Sequence, residues 1–210
     1  MDNRQLTQKP QPKKIAFVLG NGRSRLRLNL EELKKYGKIY GCNALYREFE
    51  PDYLIAVDEK MVREIANKAW QFGKQVWTNP NKNVLKLEGF NFFSPHKGWS
   101  SGPTALWLAS THGYDEIYIC GFDYQGLSGK LNNVYADTPN YRRSYETATY
   151  FGNWVNQTEK VIREFKNIKY YRVIETKSDY VPPVIGNITE NLSHVTYDEM
   201  REDFHKAIFK

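Results

Sequence analysis

Small amides and hydroxyls recur in this chain where apolar runs stop. The run 15–19 ends at Gly20-Asn21-Gly22, with Ser24 just beyond; the run 38–42 ends at Asn43; the run 74–78 ends at Asn79-Pro80. The run 116–120 ends at Gly121, with Asp123-Tyr124 behind it, and Ser100-Ser101-Gly102-Pro103 opens an apolar stretch. Glycines at a strand end let backbone N–H groups approach an anionic or polar ligand closely. Amides and hydroxyls with few charges suit a ligand of mixed donors and acceptors, such as a ribose, a cytosine edge or a sugar. A helix opened by two serines also offers its positive end to an anion. Each feature has a plainer reading as well. Strand-end asparagines form turns, serines cap helices, and Asp58 before the segment 59–70 reads as a helix cap. Arg23, Arg25 and Arg27 are placed to reach a phosphate or simply to be solvated.

The common nucleotide motifs are absent. A dinucleotide fingerprint needs a small residue where Arg25 stands and an acidic one about 20 positions on, near Asn43. The segment Gly126-Leu-Ser-Gly-Lys130 is one residue short of a P-loop and lacks its Ser/Thr after the lysine. No zinc spacing or nucleic-acid motif occurs.

These strand ends need a sheet to carry them. The pattern predicts strands at 15–19, 38–42, 51–58, 74–78, 90–93, 116–120 and 170–174. Helices are expected at 30–36, 59–70, from Ser100 to Ser110, and at 141–165. Alternation of this kind reads as an α/β class, a Rossmann-like, mostly parallel sheet flanked by helices. The core domain spans 14–175, after a flexible arm at 1–13. The glycine- and tyrosine-rich stretch 125–141 reads as a lid. In the extension 176–210, residues 178–193 look irregular. Thr196-Tyr-Asp-Glu199 is a capping box for a final helix, and Met200, Phe204 and Ile208 give that helix one apolar face, for docking on the domain or for a homo-oligomer.

Composition bounds the rest. A 40% hydrophobic content with 11 Phe, 15 Tyr and 5 Trp supports a core in a chain of 210 residues. No apolar run reaches a membrane span and no apolar leader follows Met1, so a cytoplasmic protein is expected. Cys42 and Cys120 read as buried free thiols. The acceptor patterns at Asn156, Asn187 and Asn191 read as chance. A net charge of +6 favours anionic partners, including nucleotides, a phosphorylated acceptor or nucleic acid.

Taken in order, the motifs resemble those of the bacterial lipooligosaccharide sialyltransferases, which use a CMP-linked donor. The matching segments are Gly20-Asn21-Gly22-Arg23-Ser24, Cys42-Asn43-Ala44-Leu45-Tyr46, Asn79-Pro80, Ser100-Ser101-Gly102, Gly121-Phe122-Asp123-Tyr124 and Tyr135-Ala136-Asp137. The resemblance covers roughly 14–175. It implies that Asn21, Asn43, Asn79, Ser100 and Ser101 contact a CMP-sugar donor. It implies that Tyr124 and Tyr135 hold the donor's phosphate and that no metal is needed. The family's base is a histidine after Tyr-x-Gly, and the matching stretch here is Tyr150-Phe151-Gly152-Asn153. An amide cannot take a proton at neutral pH. Substitute bases would be Asp137, Glu146, Asp123 or His194; alternatively the acceptor is already an anion. The Gly-Asn-Gly turn and the Gly-Phe-Asp pair also resemble the hydroxymethylpterin pyrophosphokinase-like and motility-accessory-factor proteins, which implies an ATP- and metal-dependent diphosphotransferase. The remaining reading is a non-enzymatic nucleotide- or nucleic-acid-binding module.

Overall fold

In the computed structural model, residues 12–175, 190–204 and 206–210 are described. The arm at 1–11, the acceptor pattern at Asn187, most of the stretch 178–193 and His205 lie outside them. Eight strands form one parallel sheet: β1 (Ile15–Leu19), β2 (Lys38–Cys42), β3 (Tyr53–Ile55), β4 (Val76–Thr78), β5 (Asn91–Phe92), β6 (Glu116–Cys120), β7 (Lys169–Ile174) and β8 (Leu192–Thr196). Their spatial order is β5-β4-β3-β2-β1-β6-β7-β8. The order reverses between β1 and β6, which is where an open α/β sheet leaves a crevice at its carboxyl edge.

The side chains of β1 show why the sheet is buried on both faces. Phe17 and Leu19 point into one apolar layer, shared with Leu33, Met61, Val62, Ile65, Met200 and Phe204. Ala16 and Val18 point into the other, shared with Leu106, Ala109, Val161 and Ile162. Helices α1 (Leu30–Leu33), α2 (Glu59–Asn67) and α5 (Tyr197–Asp203) supply the first layer; α3 (Ser101–Thr111) and α4 (Gly152–Glu164) supply the second. This is the Rossmann-like α/β arrangement expected from the alternating pattern. None of the helices among the described residues is long and apolar enough to cross a membrane.

Three expectations about elements are corrected. The predicted helix 141–165 begins only at Gly152. Residues 141–151 are turns because their polar side chains bond locally: Glu146 accepts from the Arg143 N–H and from Arg142, and Asp137 accepts from the Ser144 N–H. The stretch read as irregular runs at its end into the first two residues of β8, an edge strand whose residues are half-buried or exposed. The capping box at Thr196 and Glu199 forms, but α5 stops at Asp203, where Phe204 turns to extended backbone. Met200, Phe204 and Ile208 are nonetheless all buried against the domain, so none is left for self-association. Cys42 and Cys120 are buried free thiols. Asn191 spends its amide on the carbonyls of Ile162, Phe165 and Ile168, where α4 ends.

Candidate functional site

The two turns at the point of reversal are sewn together through their backbones. The Gly20 N–H donates to the Cys120 carbonyl at 2.8 Å, and the Gly22 N–H to the Gly121 carbonyl at 2.9 Å. A Cβ on Gly20 would sit 2.5 Å from the Gly121 oxygen; one on Gly22 would sit 2.4 Å from the Asp123 carboxyl carbon. Only glycine permits this approach.

Above this floor lies a cleft of about 410 Å³, in the size range of small-molecule sites. The ends of β1 and β2 bring Asn21 and Asn43 to it, and the start of α3 brings Ser100, Ser101 and Gly102. Asn43 holds a left-handed φ of 52°, and Tyr124 one of 57°. Such a backbone costs a bulky residue about 1–3 kcal/mol and persists only where its surroundings enforce it. At Asn43 the enforcing contact is the Ser101 hydroxyl, which donates to its Oδ1 at 2.8 Å and itself accepts from the Val57 N–H at 3.1 Å. Ser100 sits at the cap position of α3, yet its side chain makes no capping bond. The first N–H groups of that helix, from Ser101 and Gly102, are of the kind a helix leaves without an internal partner. Asn21 Oδ1 is buried with no partner, while its Nδ2 donates to the Tyr141 hydroxyl at 3.4 Å.

Residues 125–149 wall the cleft, through Leu131, Asn132, Asn133, Asn140, Tyr141, Arg142 and Thr149. This segment is moored at several points. The Val134 N–H donates to the Asn21 carbonyl at 2.8 Å, and Arg47 donates to Thr138 Oγ1 and the Pro139 carbonyl. Phe151 and Trp154, with ring centroids 5.4 Å apart, close the remaining side.

Several sequence-predicted site residues stand elsewhere or are already engaged. Asp123 lines the cleft, but its carboxylate accepts from the Ser24 N–H, the Ser24 hydroxyl and the Asn132 amide. Ser24 is buried by the same bonds and by a contact to the Tyr197 hydroxyl at 3.2 Å. The Tyr124 hydroxyl is paired with Thr158 at 2.5 Å; burial chiefly raises its pKa, and the Arg172 guanidinium lies 4.9 Å from its ring. Tyr135 is outside the cleft. Its hydroxyl donates to Glu48 and accepts from Arg25, which is buried rather than solvated. Asn79 is outside the cleft too, its Oδ1 buried and unpartnered. Asn153 and Asp137 are exposed, and Glu146 is tied to Arg142 and Arg143. Hydrogen bonds from Ser144 hold the Asp137 carboxyl below its ordinary value; those from Arg143 and Arg142 do the same for Glu146. Among the described residues no histidine lines the cleft.

Among the cleft residues that escaped sequence reasoning, besides Arg142, Phe151 and Trp154, are two with polar groups aimed at chemistry. Tyr141, not Tyr135, faces the cleft; its hydroxyl accepts from the Ala44 N–H at 3.3 Å, and burial raises its pKa. Asp58 lines the cleft and makes no side-chain capping bond to α2. The strand-end position that suggested a cap was the available signal for it. No family model, curated protein or solved structure matches the chain.

Proposed function

We propose that the cleft binds a nucleotide sugar, CMP-linked, and that the protein transfers the sugar to an acceptor by inverting displacement. One observation carries the reading. Asn21, Asn43, Ser100 and Ser101, from two strand ends and a helix start, converge on one cleft at the sheet's switch point. Their neutral donors and acceptors suit a ribose and a pyrimidine edge. The start of α3 suits the phosphate, on which negative charge grows as the sugar departs. Phe151 and Trp154 offer apolar rings to the base. Arg142, at the cleft wall, favours an anionic phosphate or acceptor.

Calorimetry with CMP, CDP, UDP and AMP tests this reading. A preference for the cytidine nucleotides, lost in Ser101→Ala, is expected. Equal weak binding of all four refutes it, and tight ATP binding that requires magnesium favours diphosphoryl transfer instead.

A further inference from the structure

We infer that Asp58 is the general base that deprotonates the acceptor, an assignment that rests on the glycosyl-transfer reading. Attack by a hydroxyl needs a proton acceptor inside the cleft and unoccupied by other partners. Among the described residues, Asp58 and Asp123 are the carboxylates that line the cleft. Three donors hold Asp123. Asp58 differs because its backbone and side chain do separate work. Its carbonyl accepts the Met61 and Val62 N–H groups, each at 3.0 Å, so α2 fixes the residue from behind. Its φ of −79° and ψ of 124° are those of a cap, yet the carboxylate caps nothing. The neighbouring polar groups are also spoken for, since Ser101 bonds Asn43 and Val57. The carboxylate adds to the burial that raises the pKa of Tyr141, another residue that lines the cleft.

In the step, the acceptor O–H proton moves to a carboxylate oxygen of Asp58 and the acceptor oxygen bonds to the anomeric carbon. The bond from that carbon to the phosphate oxygen breaks, and its electron pair leaves with CMP. With water as acceptor the products are free sugar and CMP, and Asp58 returns the proton to solvent.

The test follows CMP release from CMP-N-acetylneuraminate and from CMP-3-deoxy-manno-octulosonate, with CMP affinity measured in parallel. Asp58→Asn is expected to bind CMP within about threefold of the unaltered protein and to release it at least about 100-fold more slowly, the scale of a lost general base. Formate should restore about tenfold to Asp58→Ala and nothing to the unaltered protein. Retained CMP binding shows that the variants fold. Undiminished release in Asp58→Asn overturns the assignment and leaves the glycosyl-transfer reading standing. So does a loss of CMP affinity with no effect on turnover, which would place Asp58 on the donor. Failure of the unaltered protein to bind CMP removes both.

Discussion

Asp123 offers the sharpest test of what holds the cleft together. Its carboxylate is 5% exposed and joins three pieces of chain: the β6 turn, the Ser24 turn and the 125–149 segment through Asn132. Asp123→Ala leaves the Ser24 N–H without its acceptor and takes one acceptor from the Asn132 amide, which keeps the Gln125 carbonyl at 3.1 Å. Each hydrogen bond to a charged group contributes about 1.5–3 kcal/mol, and the three share one acceptor, so they do not add. The expected loss is about 3–5 kcal/mol. Asp123→Asn should behave differently. Its remaining oxygen can stay at Oδ2, facing the Ser24 N–H at 3.2 Å and the Asn132 amide at 2.9 Å. The new NH2 then faces Ser24 Oγ, whose own hydrogen turns toward the Tyr197 hydroxyl at 3.2 Å. The three contacts to position 123 are kept, while the charge and the acceptor of the Tyr197 hydroxyl hydrogen are lost, at about 1–2 kcal/mol. Urea unfolding of the three proteins, with m unchanged, measures both values. An alanine variant within 1 kcal/mol of the parent refutes the reasoning, as does an asparagine variant as weak as alanine.

Two further outcomes are expected. Burial works against the charge of Glu64, but hydrogen bonds from Arg47, Tyr46 and Asn140 outweigh it and hold its pKa from an ordinary 4.5 down to about 2. The folded protein therefore binds this proton more weakly than the unfolded chain; the stabilisation is complete above about 4.5 and is lost as pH falls toward 2. Glu64→Gln should cost about 2–3 kcal/mol at pH 7, with the difference from the parent closing across that acid window in urea titrations. Met200 is fully buried, so Met200→Ala should lower stability by about 2–4 kcal/mol and leave the sedimentation coefficient unchanged; a change of assembly state would show that its face is not simply docked.

The strands and their polar ends were readable because a parallel strand buried on both faces leaves an unbroken apolar run, and the run stops where the backbone must turn. Asn43 and Ser101 were found this way, and they do meet. What failed was choosing among equivalent residues. Tyr135 and Tyr141 lie six apart in one polar segment, and only the mooring of that segment to Glu48, Arg25 and Arg47 decides which hydroxyl faces the cleft. Asp58 matched the signature of a cap, and nothing local says that its carboxylate turns away. The helix predicted from Tyr141 came from extending the α4 apolar spacing backward past Gly152, into residues whose side chains bond their own turns. β8 was missed because a half-exposed edge strand has no unbroken apolar run.

The glycine floor of the cleft constrains anyone who would redesign it. Where two turns touch backbone to backbone, with a Cβ on Gly20 or Gly22 falling within 2.5 Å of its neighbours, no side chain can be introduced to reshape a ligand's seat. The floor is a fixed template. Any retuning of ligand preference has to be written into the surrounding walls, at lining residues such as Asn133, Arg142, Thr149 and Phe151, which already carry side chains.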